Sequence, residues 1–313
     1  MQGIDLAIER GEIFGFLGPN GAGKTTTVRM LCTLLPPTSG TALVDGLDVD
    51  REGHEVRTRI GVALQEIGLD PVQTGRELLE LQCGLYGISG QTAKDRSSEL
   101  LEIVDLVDAA DRRVKGYSGG MKRRLDLAAA LVHKPQILFL DEPTTGLDPA
   151  SRRTIWEQVR QINEGGATVF LTTQYLEEAD ELCDRLAIID DGKIVARGTP
   201  EELKAEIGAD VVSIELHGAD AEATRTALDG LPGLERIVDG QDSLALFVDD
   251  GAGSIVEVVR RLDSAGITPG AISVSRPSLD DVFLEATGRR LAPDEGGGGG
   301  ETDGHDEQTG GGH

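Results

Sequence analysis

Eight residues, Gly18-Pro-Asn-Gly-Ala-Gly-Lys-Thr25, restrict this chain more than any other feature. They match G-x-x-x-x-G-K-[ST] and stand between an apolar run, Ile13–Leu17, and a helical pattern from Lys24 to Leu34. A strand–loop–helix of this kind curls backbone N–H groups around a phosphate chain. Gly18, Gly21 and Gly23 allow the curl, and Pro19, Asn20 and Ala22 complete the loop. Lys24 supplies a point charge for the β- and γ-phosphates, and Thr25 offers a hydroxyl to Mg²⁺. The helix N-terminus, with Thr26 in its first turn, favours the anion.

The runs that follow suit the same architecture. Ile60–Leu64, Ile137–Leu140, Thr168–Thr172 and Leu186–Ile189 are short and apolar, as strands of a parallel sheet covered on both faces are. Helical patterns at Gly75–Tyr86, Lys94–Val107, Gly119–Val132, Pro149–Asn163 and Leu176–Asp184 lie between them, which predicts an α/β fold over residues 1–207. The pattern restarts at 208–288 in a βαββαβ order, predicting a small ferredoxin-like α+β domain. Residues 289–313 are rich in Gly and acid and are expected to be a disordered tail.

Ile137-Leu-Phe-Leu-Asp141-Glu142 places two carboxylates at the C-terminal end of a buried strand, the edge where ligands sit in open α/β sheets. Asp141 is expected to hold Mg²⁺ and Glu142 to polarise the water that attacks the γ-phosphate.

Composition narrows the partners. Fifty-five acids against 30 bases give a net charge of −25, which excludes free nucleic acid as a partner. Lys contributes 7 of those bases and Arg 23. An acid-rich, Lys-poor surface suits a salty, halophilic cytoplasm, where ions screen self-repulsion. Aromatic residues are 3% of the chain, so the core must be aliphatic. No run approaches the roughly 20 apolar residues of a membrane span. The start carries Asp5 and Glu9 rather than a basic leader, so the chain is expected to stay in the cytoplasm. Cys32, Cys83 and Cys183 form no pair motif and are expected as reduced thiols, and the five histidines have no metal-ligand spacing.

Further motifs make a resemblance specific. Tyr117-Ser-Gly-Gly-Met121, followed by Lys122-Arg-Arg-Leu, resembles the signature of ABC-transporter ATPases, with Tyr117 and Met121 in place of the usual Leu and Gln. Pro143-Thr-Thr-Gly-Leu-Asp148-Pro149 resembles that family's D-loop. Gln65 and Gln174 occupy its Q-loop and switch positions. Gln174-Tyr-Leu-Glu-Glu-Ala-Asp180 and Pro277-Ser-Leu-Asp-Asp-Val-Phe283 resemble the daunorubicin/doxorubicin-resistance branch.

The resemblance implies an ATP-binding and ATP-hydrolysing subunit of a membrane exporter. In such a subunit Glu142, Gln174, Lys24 and Gln65 serve catalysis, and Thr25, Gln65 and Asp141 hold Mg²⁺. It also implies that Ser118, Gly119 and Gly120 complete the ATP site of a second subunit, in a homodimer or a pairing with a similar ATPase. Residues 66–116 would then form a helical subdomain docking an integral-membrane permease from the cytoplasmic face. The alternative is a soluble ABC ATPase acting in translation, DNA maintenance or regulation. The family's upstream strand and adenine-stacking aromatic have no counterpart here, since Phe14 is the first aromatic residue and suits a buried strand. Ile4–Ile8 would then be a poorly covered edge strand, and an upstream extension of the reading frame is expected.

Overall fold

Nearly every apolar run becomes a strand and every helical pattern a helix in the computed structural model, which describes residues 1–207, 210–216, 221–240 and 242–289. The expected tail therefore lies outside the described residues, apart from Arg289. The first part contains β1 (Ile13–Leu17), α1 (Lys24–Leu31), the hairpin β2 (Leu43–Val44) and β3 (Leu47–Asp48), α2 (Gly53–Arg59) and β4 (Ile60–Ala63). Then come α3 (Gly75–Leu85), α4 (Gly90–Ile103), α5 (Gly119–Ala130), β5 (Ile137–Asp141), α6 (Pro149–Glu164) and β6 (Thr168–Thr173). The unit closes with α7 (Leu176–Leu182), β7 (Arg185–Asp190), β8 (Lys193–Gly198) and α8 (Pro200–Ile207).

The main sheet has the order β4-β5-β6-β1-β7-β8. Its first five strands are parallel, and β8 returns antiparallel to β7. That return uses Asp191 (φ 46°) and Gly192 (φ 77°), the two left-handed residues a tight hairpin of this twist requires. All of β1 is buried, which explains its unbroken apolar run. On one face Phe14, Phe16 and Phe139 pack their rings 5.6–6.0 Å from Phe170, beside Val28 and Cys32 of α1 and its C-cap. Leu17, Leu138, Leu140 and Leu171 pack on the other face, against α5, α6 and α7. Cys32, Cys83 and Cys183 are all free and buried.

The segment between β4 and α5 is helical. Thr74 and Glu77 form a capping box that starts α3, and α3 packs on α4 through Leu78, Leu79, Cys83, Leu100 and Leu101. The helix expected over Lys94–Val107 begins at Gly90 and ends at Ile103, because Asp105 turns left-handed (φ 50°).

The later part contains β9 (Asp210–Glu215), α9 (Ala221–Leu228), β10 (Leu234–Asp239), β11 (Ser243–Val248), α10 (Gly251–Ser264), β12 (Ile272–Ser275) and α11 (Leu279–Thr287). Its antiparallel sheet runs β10-β11-β9-β12, the ferredoxin-like order. One face carries Val212, Ile214, Leu244 and Leu246 against Leu228, Val258 and Leu262 of α9 and α10. The opposite face, with Val211, Ala245 and Phe247, is covered by Leu203 and Ile207 of α8 and Leu279 and Phe283 of α11. Helix α11 also touches α7 and β8, so the two sheets share a core across this layer.

One expectation needs correction, and five elements went unread. Ile4–Ile8 forms no strand: Ile4, Leu6 and Ile8 instead lie half-buried along the aromatic cluster beside β1. The elements α2, β2, β3, β8 and α8 had no counterpart in the sequence pattern, since they are short or, like β8, carry an apolar residue, Val195, on the exposed face and so lack polar–apolar alternation.

Candidate functional site

The loop after β1 is shaped by glycine at the points where a side chain has no room. A Cβ on Gly18 would stand 2.2 Å from the Ile189 carbonyl oxygen of β7. Gly21 (φ 84°) and Gly23 (φ 109°) are left-handed. Gly23 is the N-cap of α1 and gives no side-chain cap, so the first-turn N–H groups of α1 stay available to an anion. Lys24 is 4% exposed, and its Nζ donates to the carbonyls of Gly18 (2.7 Å) and Pro19 (3.1 Å). The same ammonium pairs with Glu142 Oε1 at 3.1 Å.

Strand β5 delivers Asp141 and Glu142 opposite this loop. Asp141 Oδ1 accepts from Thr172 Oγ1 (2.6 Å) and Thr25 Oγ1 (3.2 Å). Its Oδ2 is buried without a hydrogen-bond partner. A buried anionic oxygen of that kind, beside a threonine hydroxyl, is the hard donor set that suits Mg²⁺. Glu142 is 6% exposed with φ 51°, a strained conformation for a residue other than glycine. The strain is held in place by its N–H, which donates to the Thr172 carbonyl (3.1 Å) and hydroxyl (3.0 Å). Its Oε2 accepts from Gln65 Nε2 (3.4 Å) and Thr145 Oγ1 (3.3 Å).

The geometry thus gathers Gly18–Thr25, Gln65, Asp141 and Glu142 in one place. Gln174 lies half-buried one residue beyond β6, whose Thr172 already touches both carboxylate residues. Ser118, Gly119 and Gly120 stand apart: among the described residues no hydrogen bond joins them to Lys24 or Thr25. Ser118 is the N-cap of α5, accepting from Met121 N at 3.2 Å, and both Ser118 and Gly119 are exposed. Gly120 has a packing duty as well, since a Cβ there would meet Ser151 Oγ of α6 at 2.9 Å.

Three residues that sequence reasoning missed hold this site together. Thr172 links the ends of β5 and β6. Thr145 holds Glu142. Arg123 of α5 donates to the carbonyls of Leu64 (2.5 Å), Asp141 (2.9 Å) and Pro143 (2.9 Å), binding the Gln65 segment to the acidic strand end. An arginine on the otherwise inward face of α5 was the available signal.

A phosphate-binding loop facing an acidic strand end on a parallel sheet defines a P-loop nucleoside triphosphatase. Residues 1–145 match the ABC transporter family, and residues 198–287 match the family described as ATP-binding protein DrrA1-3-like, C-terminal domain. The daunorubicin resistance ATP-binding protein DrrA3 of Streptomyces coeruleorubidus is 48% identical, over 92% of this chain and 91% of that protein. The linearmycin resistance ATP-binding protein LnrL of Bacillus subtilis strain 168 is 40% identical, over 93% and 94% respectively. Among solved structures, a dimeric post-hydrolysis ATP-binding cassette bound to ADP and phosphate superposes with a TM-score of 0.58. It is 29% identical, over 63% of this chain and 88% of that one. The chain belongs to the ATP-binding subunits of ABC transporters, and it binds and hydrolyses ATP.

Proposed function

We propose that the chain powers the export of drug-like molecules through a separate integral-membrane permease, acting at the cytoplasmic face of the membrane. The names of its relatives, which are resistance ATP-binding proteins, support this substrate class. Among the described residues no helix is long and apolar enough to cross a membrane, in keeping with a permease on another polypeptide. A soluble role in translation or DNA maintenance is not favoured by those relatives.

The observation that carries the mechanism is the buried Lys24–Glu142 pair. ATP entering the loop offers Lys24 a phosphate in place of the carboxylate. Glu142, so released, serves as the base that takes a proton from the attacking water. Thr25, Gln65 and Asp141 would hold Mg²⁺, which supplies charge neutralisation between the phosphates. Gly18 to Thr26 hold the phosphate chain, and Gln174 donates its amide to the γ-phosphate. Ser118, Gly119 and Gly120 would complete the site of a second copy or a similar subunit, and the exposure of Ser118 and Gly119 supports that role. Residues 1–207 are the nucleotide-binding domain, with 66–116 as its permease-docking subdomain, and 208–288 are the C-terminal domain, followed by the tail 289–313. The acid-rich, Lys-poor composition supports a salty host cytoplasm.

Inside-out vesicles carrying the chain with a multi-span permease from the same gene cluster test the transport role. ATP-dependent uptake of daunorubicin is expected, and Lys24→Ala should abolish it. Vesicles that hydrolyse ATP through this chain yet never take up drug would overturn the substrate assignment.

A further inference from the structure

Glu178 lies one helical turn beyond Gln174 and is fully buried in α7. A carboxyl group with no access to water is costly unless hydrogen bonds offset its burial. Its Oε1 accepts from Thr144 Oγ1 at 2.8 Å and from Trp156 Nε1 of α6 at 2.9 Å. Burial pushes the carboxyl above the ordinary carboxylate range. Thr144 is itself 0% exposed and sits in the loop between β5 and α6. The next residue, Thr145, donates to Glu142 Oε2 at 3.3 Å. One buried oxygen therefore fixes both the loop that aims Glu142 and the helix that follows Gln174.

We propose that Glu178 is a positioning residue for hydrolysis: through Thr144 and Thr145 it sets the carboxylate of Glu142, and through α7 it sets Gln174. This rests on Glu142 acting as the base. The two donors to Oε1 separate this role from plain core stability. Thr144 lies on the path to Glu142, whereas Trp156 lies on α6, off that path. Both hydrogen bonds are buried, so losing either one destabilises the fold to a similar degree.

The test compares Thr144→Val and Trp156→Phe in the full chain, measuring kcat, KM for ATP, nucleotide affinity and melting temperature. Thr144→Val is expected to lower kcat roughly tenfold, as a misaimed catalytic group does, with ATP affinity within about twofold of the parent. Trp156→Phe is expected to lower the melting temperature comparably and leave kcat within about twofold. Glu178→Gln, which keeps an acceptor oxygen for both donors, should retain most of kcat. Thr144→Ala reads the same hydroxyl if the valine disturbs folding. Parent-like kcat in the Thr144 variants, or an equal loss in Trp156→Phe, would overturn the proposal. Glu142→Gln run alongside keeps the two ideas apart: turnover retained there would remove the base assignment itself, whatever the Thr144 variants do.

Discussion

At Gln174 the chain departs from the histidine commoner in its family, and the difference has measurable consequences. A histidine donor titrates near pH 6.5, while an amide donates at every pH. Gln174→Ala should slow turnover by roughly 10–100-fold, the cost of one positioned donor to phosphate. Gln174→His should remain active and acquire a pH dependence near neutrality, visible in kcat measured from pH 5.5 to 8.5. An alanine variant as fast as the parent would mean that Gln174 never touches phosphate. Local features were legible: Gly18 to Thr25 carry the loop pattern in eight consecutive positions between a strand and a helix. Thr172 and Arg123 were not, because their roles arise across chain separations of 31 and 18 residues to Asp141. The left-handed backbone at Glu142 was equally hidden, since nothing in the local sequence asks for it.

At the scale of elements, α5 joins the exposed Ser118 end to the site through Arg123, and the arginine has a buried neighbour. Asp126 pairs with Arg123 at 3.5 Å across one turn. Burial nonetheless pushes the Asp126 carboxyl up to about 6 from its ordinary 3.8. The folded state therefore holds this proton more tightly than the unfolded chain. Its contribution to stability is full below about pH 4 and is lost as pH rises through about 6. A rise from 3.8 to about 6 corresponds to about 3 kcal/mol at most. Asp126→Asn should flatten the fall in urea-unfolding stability between pH 4 and 6. Part of the fall should persist, because burial raises Glu178 in the same sense. An unchanged slope would show that Asp126 is ionised throughout that range. Long elements such as α5, α6 and β6 were legible because their periodicity is sustained. Strand β8 was not, because Val195 on its exposed face is apolar and breaks the polar–apolar alternation that marks a one-sided strand.

Over the whole molecule, the restart of the strand–helix pattern near residue 208 marks a change of sheet but not a gap in packing. Helices α8 and α11, far apart in sequence, lie together between the two sheets, and α11 reaches α7, which follows Gln174. Sequence periodicity gave the order of these elements, while the shared layer depends on where α11 returns. A pair of copies of this chain would have to overcome its charge, since two copies of net −25 repel. ATP is itself an anion, so only its contacts with Lys24 of one copy and the Ser118 end of another would offset that repulsion, provided it is not hydrolysed. The most direct measurement is therefore light scattering on a sizing column of Glu142→Gln with ATP and Mg²⁺, paired with its turnover rate. Turnover reduced at least about 100-fold with ATP affinity intact, and elution as an ATP-dependent dimer, is the expected result. A variant that hydrolyses ATP near the parent rate and stays monomeric would contradict both the role of Glu142 and the shared site.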